Sequence, residues 1–333
     1  MSQRLNILQN DPRFAGLKEA CLSGDTPIYL HGMLSESLYQ VGLFLHAGTN
    51  APVLLVYEDE LSAKNAAANA SQWEPDAVFH FPAREVHFYE IDAVDDRNEQ
   101  LRLQVMARLA EKQRMVVCTT MQALAQKFTT PEGFVRDRIE LDADTEVDLE
   151  ELRNRLVYLR YQAVPRVESV GEFSVRGGII DIFPPNREHP VRVELFDTEI
   201  DSIRSFAIGT QRSVDTLERV TIGPAKDLLL DARDVGAITK GLLKDLGRYE
   251  KKYMHGVNTE HAMEKFGQIL EQVEQAQSVT NMHTLLPYLD ETGSASILDY
   301  FPEHAVVIAD DLSRVYDRFL QQYDQLMEQV TAD

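Results

Sequence analysis

A chain of 333 residues with 44% apolar content is long enough for two or three domains, each with its own core. Its two cysteines, Cys21 and Cys118, exclude a disulfide framework and a CxxC zinc motif; no apolar run approaches the roughly 20 residues of a bilayer crossing, and MSQRLNILQNDPRF has no signal-peptide core, so a reducing cytoplasm and no membrane are expected. A formal charge of −21 repels phosphate on average, which argues against this segment gripping DNA or RNA by itself, although the same charge also serves solubility.

From residue 26 to about 128, short apolar runs alternate with helical stretches, the pattern of parallel strands joined by crossover helices. Strands are expected at 28–30, 53–57, 78–81 and 115–119, and helices at 37–46, 61–73 and 98–112, the last with Leu101, Val105 and Leu109 on one face. Near 136 the pattern changes to a strand-like RIEL and a helix with the stripe Leu149, Leu152, Leu156 and Leu159, opened by Asp148 and Glu151 at capping-box spacing. After Pro165 come short strands, broken by Gly177-Gly178, Pro184-Pro185 and a turn at Asp197-Thr198, and closing near Ile222-Gly223-Pro224. Alternation through VRVELF puts Val191, Val193 and Leu195 on a core side and Arg192, Glu194 and Phe196 on the solvent side. An aromatic beside an arginine on a solvent face is a composition that interfaces favour.

The remainder is mostly helical, with Phe266, Ile269, Leu270 and Val273 on one face. One apolar strand at 305–309 then precedes a helix carrying Leu312, Val315, Phe319, Leu326 and Val330. A lone strand cannot bury itself, so it is expected to rejoin the first sheet. The predicted organisation is an α/β body of residues 1–135 and 225–333 with an inserted α+β domain at 136–224, in a monomer.

The turn after the first expected strand is where a phosphate-binding loop would sit. It reads GMLSESLY, in which only Gly32 fits GxxxxGK[ST]; Ser37, Leu38 and Tyr39 stand where the second glycine, the lysine and the hydroxyl residue belong. Without lysine and hydroxyl, neither nucleotide phosphates nor magnesium finds a ligand, and an ordinary strand-to-helix turn is the simpler reading. In VVIADDLS, Asp310 and Asp311 have the form of a magnesium-holding acid pair, yet capping of the last helix accounts for them. His31 reads as a turn or core histidine, and HExxH, GxSxG and GxGxxG are all absent, so no catalytic residue, metal or cofactor is expected. For Arg176, Arg192 and Phe196 two readings stand. Either the arginines pair with Glu172, Glu194 or Asp181 while Phe196 folds onto the core, or the three form a binding surface of the arginine-and-aromatic kind.

FSVRGGIIDIFP, followed by VRVELFDTEIDSIRSF, is similar to the insert domain of the nucleotide-excision-repair helicase UvrB, a module that also occurs in the N-terminal region of the bacterial transcription-repair coupling factors (Mfd). SILDYFPEHAVVIADDLS resembles the UvrB segment leading into its acidic helicase motif, with Leu312-Ser313 departing from it. Two departures favour the coupling-factor branch: the failed loop at Ser37, Leu38 and Tyr39, and the short REVHFYEIDAVDDRNEQ where UvrB carries a long DNA-probing hairpin.

The resemblance implies a degenerate P-loop, RecA/helicase-like body whose insert binds UvrA through Arg176, Arg192 and Phe196, in a non-catalytic adaptor that recruits UvrA to stalled transcription complexes. Truncating Arg192 or Phe196 would then abolish binding and leave the fold intact. It also implies, in domains beyond residue 333, contacts with RNA polymerase and DNA, ATP-dependent translocation, and a C-terminal domain that hides the UvrA face at rest, all in a bacterial cytoplasm. The alternative is a nucleotide-dependent, UvrB-like repair helicase module; weak DNA binding by the body is a third reading.

Overall fold

The computed structural model describes residues 11–24, 26–85, 97–229, 232–252, 258–274, 282–289 and 294–332. In chain order come α1 (Pro12–Ser23), α2 (Leu38–Thr49), β1 (Val53–Tyr57), α3 (Glu60–Ser71), β2 (Val78–His80), α4 (Arg97–Ala110), β3 (Val116–Thr120), α5 (Met121–Leu124) and α6 (Pro131–Arg136). Then follow β4 (Ile139–Asp142), α7 (Leu149–Tyr158), β5 (Gln162–Ala163), β6 (Glu172–Arg176), β7 (Ile179–Ile182), β8 (Val191–Phe196), β9 (Glu199–Phe206), β10 (Ser213–Leu217) and β11 (Arg219–Ile222). The last elements are α8 (Ala232–Lys252), α9 (Asn258–Glu274), β12 (Val306–Ala309) and α10 (Leu312–Ala332). Two compact units result, residues 1–126 with 296–333, and residues 127–295. Among the described residues, no helix is long and apolar enough to cross a membrane.

The first unit is an α/β layer around a parallel sheet ordered β12-β1-β3-β2. β1 and β3 are buried along their whole length, which is why VLLVY and VVCTT read as unbroken rather than alternating runs. The alanine stripe Ala63, Ala66, Ala67 and Ala70 lets α3 approach the sheet closely, and Asp59 caps that helix by accepting from the Ser62 amide at 2.8 Å. β12 returns from far along the chain to pair with β1, Val53 opposite Val306.

One expected strand is absent: residues 28–30 form no ladder, and Tyr29 is 76% exposed. Pro27 supplies no N–H and Gly32 turns into the left-handed region at φ +80°, and among the described residues no strand of the sheet pairs with the run between them. Most of REVHFYEIDAVDDRNEQ, residues 86–96, lies outside the described residues.

At the carboxyl ends of β1, β2 and β3 a polar knot ties the sheet to α3. Glu60 accepts from the Ala83 amide at 2.8 Å and the Thr120 hydroxyl at 2.9 Å, and meets His80 Nε2 at 3.2 Å. Burial alone would push the Glu60 carboxyl up, but the bonds from His80, Ala83 and Thr120 outweigh it and hold its pKa below the usual value. A depressed carboxyl stabilises the fold above its unfolded pKa of about 4.3, and that contribution disappears as pH falls through the folded value. Glu60→Gln is therefore expected to lower the stability of this unit at pH 7, and the gap from the unmodified chain should close in unfolding measurements below about pH 4. A gap independent of pH would contradict this.

The second unit is built on a sheet ordered β10-β9-β8-β7-β6-β5, antiparallel except for the parallel β5–β6 pair. Its inner face, with Phe173, Ile180, Ile182, Val191, Val193 and Ile203, packs with Leu152 and Leu156 of α7, Leu159 just beyond it, and the β4–β11 ladder into one core. Asp148 caps α7 through the amides of Glu150 and Glu151. α8 and α9 enclose a smaller cluster, Ile238, Leu242, Val273 and Leu285, to which Phe266, Ile269 and Leu270 add their predicted face.

The bounds of this unit differ from the 136 and 224 expected from sequence, and the helices after 225 group with the insert rather than with the first sheet. Backbone pairing explains the difference. Phe128 and Ala295 exchange hydrogen bonds at 2.8 and 2.9 Å, and Thr129 binds Asp227 O through its amide and the Leu229 amide through its hydroxyl, so both chain ends are tied to the strand-rich unit.

Candidate functional site

The outer face of the β6–β9 region is assembled by two tight hairpins. Gly177-Gly178 forms a two-residue loop in which Gly177 has φ +60°, and a Cβ on Gly178 would lie 2.8 Å from the Leu195 carbonyl, so glycine is required where the loop meets β8. The resulting register places Ser174, Asp181, Arg192 and Arg204 in one row across the sheet and Arg176, Ile179, Glu194 and Ser202 in the next. These residues alternate with the core set and share the outer face. Phe196 ends β8 and is 78% exposed, next to Asp197 at φ +60° in the turn.

Both arginines meet on one acid. Asp181, whose side chain is 2% exposed, accepts at Oδ1 from Arg192 Nε at 2.6 Å, and at Oδ2 from Arg192 Nη2 at 2.8 Å and Arg176 Nη2 at 2.6 Å. Arg192 also donates to Gln211 Oε1 at 3.1 Å and lies 4.6 Å over the ring of the buried Phe206. Its hydrogen bonds to Asp181 raise its pKa, against the opposing effect of burial. The Arg192 side chain is 21% exposed and that of Arg176 50%, so more of the Arg176 side chain is open to solvent. Arg204 pairs with Glu194 at 2.9 Å, and Ser202 donates to the same carboxylate at 3.1 Å.

The arginines pair with a local acid, as the first reading expects, whereas Phe196 does not fold onto the core. Sequence reasoning did not single out Asp181 as the shared partner, nor Gln211, Phe206 and Arg204. The available signal was an acid inside the otherwise apolar strand IIDI, which at that position has to face a cation.

The other candidate residues lie in the first unit. Gly32 opens the turn, but no strand precedes it, and Leu38 and Tyr39 point into the core, with the Tyr39 ring 6.1 Å from Trp73 in an edge-to-face contact. Ser37 is the N-cap position of α2 without a side-chain capping bond. Asp310 accepts from the Ser35 hydroxyl at 3.0 Å, while Asp311 accepts weakly from the Arg314 amide at 3.4 Å in the first turn of α10. His31 is exposed. Burial raises the Tyr57 hydroxyl pKa and pushes the Cys118 thiol up to about 12, so neither ionises near neutral pH.

Comparison with known proteins follows this division. The family model described as the UvrB interaction domain matches residues 139–228, the stretch that contains the arginine-bearing face. The transcription-repair-coupling factor of Bacillus subtilis (strain 168) is 33% identical over 311 residues, 91% of this chain and 25% of that protein. Those of Staphylococcus aureus strains RF122 and MRSA252 are each 28% identical over 312 residues, 93% of this chain and 26% of theirs. The chain thus spans about a quarter of the length of these curated relatives. Its similarity to transcription-repair-coupling factors runs through both units, and within it residues 139–228 match the UvrB interaction domain family.

Proposed function

We propose that this chain is a non-catalytic adaptor that recruits UvrA to stalled transcription complexes through the outer face of its insert. The observation that carries this reading is an exposed Phe196 on the same face as two arginines fixed by one carboxylate, inside the matched domain. Phe196 would fill an apolar pocket on UvrA, and the outward donors of Arg176 and Arg192 would bond carboxylates beside that pocket. RNA polymerase, DNA and ATP-driven movement belong in this reading to parts of a longer protein beyond residue 333, in the bacterial cytoplasm. The α/β body serves as a degenerate, helicase-like platform without cofactor or metal.

Titrating the isolated chain with UvrA tests the proposal: saturable binding that weakens with added salt is expected, and absence of binding at micromolar concentrations would overturn it. The rival reading, a nucleotide-dependent UvrB-like module, is opposed by Leu38 and Tyr39 buried where lysine and a hydroxyl residue would have to reach phosphate and magnesium. Magnesium-ATP is accordingly expected to leave the unfolding transition where it is. A true ligand at about 100 times its Kd would add about 2.7 kcal/mol, and a shift growing with the logarithm of ATP concentration would restore the rival.

A further inference from the structure

Asp181 is nearly inaccessible, yet it is the one group shared by the two arginines of the outer face. β7 lies between β6 and β8, and the register puts Asp181 directly opposite Ser174 on one side and Arg192 on the other. Arg176 reaches it diagonally from the end of β6. The two residues it holds differ in freedom. Arg192 is already restrained by Gln211 and the Phe206 ring, whereas the half-exposed Arg176 has its ion pair with Asp181. Two guanidinium charges against one carboxylate leave the cluster with one net positive charge, and the carboxylate sets the spacing of the two forks.

We propose that Asp181 is the positioning residue of the partner-binding face, holding Arg176 and Arg192 at a fixed separation so that their outward donors meet a carboxylate-bearing surface together. The proposal rests on the adaptor reading above. It assigns Asp181 no contact with the partner: its two oxygens are used by the arginines, and its effect on binding passes through them. Ordering a long side chain before binding lowers the entropy lost in the complex, which is what a half-exposed arginine otherwise forfeits. Asp181→Asn keeps the shape but replaces one acceptor oxygen with an amide NH2 that points its hydrogens at a guanidinium.

The test is a double-mutant cycle with UvrA as the titrant. Asp181→Asn is expected to weaken binding about tenfold in the otherwise unmodified chain, and less than about twofold where Arg176 and Arg192 are both already alanine. Amide hydrogen exchange of β7 and β8 in the same variants separates a structural loss: the positioning role requires Asp181→Asn to weaken binding with the protection of these strands kept, and a loss of binding that follows lost protection would overturn it. If Asp181→Asn binds within about twofold of the unmodified chain while Arg176→Ala and Phe196→Ala bind weakly, the positioning role falls and the adaptor reading stands. If none of these variants alters binding, the adaptor reading falls. A second measurement needs no variant: in the free, unmodified chain, NMR of the Arg176 guanidinium should show slow rotation and separate Nη signals, and averaged signals would overturn the proposal.

Discussion

Replacing Phe196 with alanine is expected to weaken UvrA binding by about thirtyfold or more, equivalent to about 2 kcal/mol, with the stability of the chain unchanged. The two halves of this expectation have separate causes. Phe196 stands at the end of β8 with 78% of its surface in water, so its ring contributes little to the core, and truncation leaves no cavity there. Burying such a ring in a partner's pocket contributes about 1.5–3 kcal/mol of apolar transfer. Titration calorimetry together with thermal unfolding of the same samples checks both halves. Undiminished affinity would sink the role of this residue, and a large loss of stability would mean that the ring is packed rather than presented.

Arg192→Ala should behave differently, and here the geometry corrects the expectation that this change leaves the fold intact. Arg192 provides two of the three hydrogen bonds that Asp181 receives, and Asp181 is 2% exposed. Removing one partner of a buried ion pair costs about 3–5 kcal/mol because the remaining charge has no solvent; the surviving bond from Arg176 brings the expected cost to about 2–3 kcal/mol. Binding should weaken as well, by about tenfold, and stay measurable. Because the chain has two units, a single unfolding midpoint is a poor reporter, and amide hydrogen exchange of β7 and β8 reads the insert directly. Faster exchange confined to these strands is the expected result; unchanged protection would show that Asp181 tolerates the loss. Arg176→Ala, which removes a half-exposed partner, should cost about 1 kcal/mol or less in the same measurement.

Much of this arrangement was legible before any coordinates. The alternation in VRVELF assigned Arg192 and Phe196 to the face opposite Val191 and Val193, and the folded strand keeps that alternation. The leucine stripe of α7 and the uniform apolar runs of β1 and β3 likewise carried their own burial. Residues 28–30 show the limit. They are as apolar as a strand requires, yet a strand exists only where a neighbour completes its hydrogen bonds, and the parallel sheet pairs none of its strands with them.

The choice among Glu172, Glu194 and Asp181 as arginine partners shows the same limit at the site. All three were candidates by proximity in sequence. Glu172 instead accepts the backbone amides of Glu168 and Ser169, and Glu194 serves Arg204 and Ser202, leaving Asp181 to both arginines. The sequence by itself determined which residues face outward, because side-chain alternation is a property of one strand. Which outward residues touch depended on cross-strand register and on hairpins closed by residues such as Gly178, and a slip of one position would have turned Asp181 into the core. Only the tertiary structure could therefore bring Arg176 and Arg192 onto one carboxylate and leave Phe196, at the end of β8, uncovered.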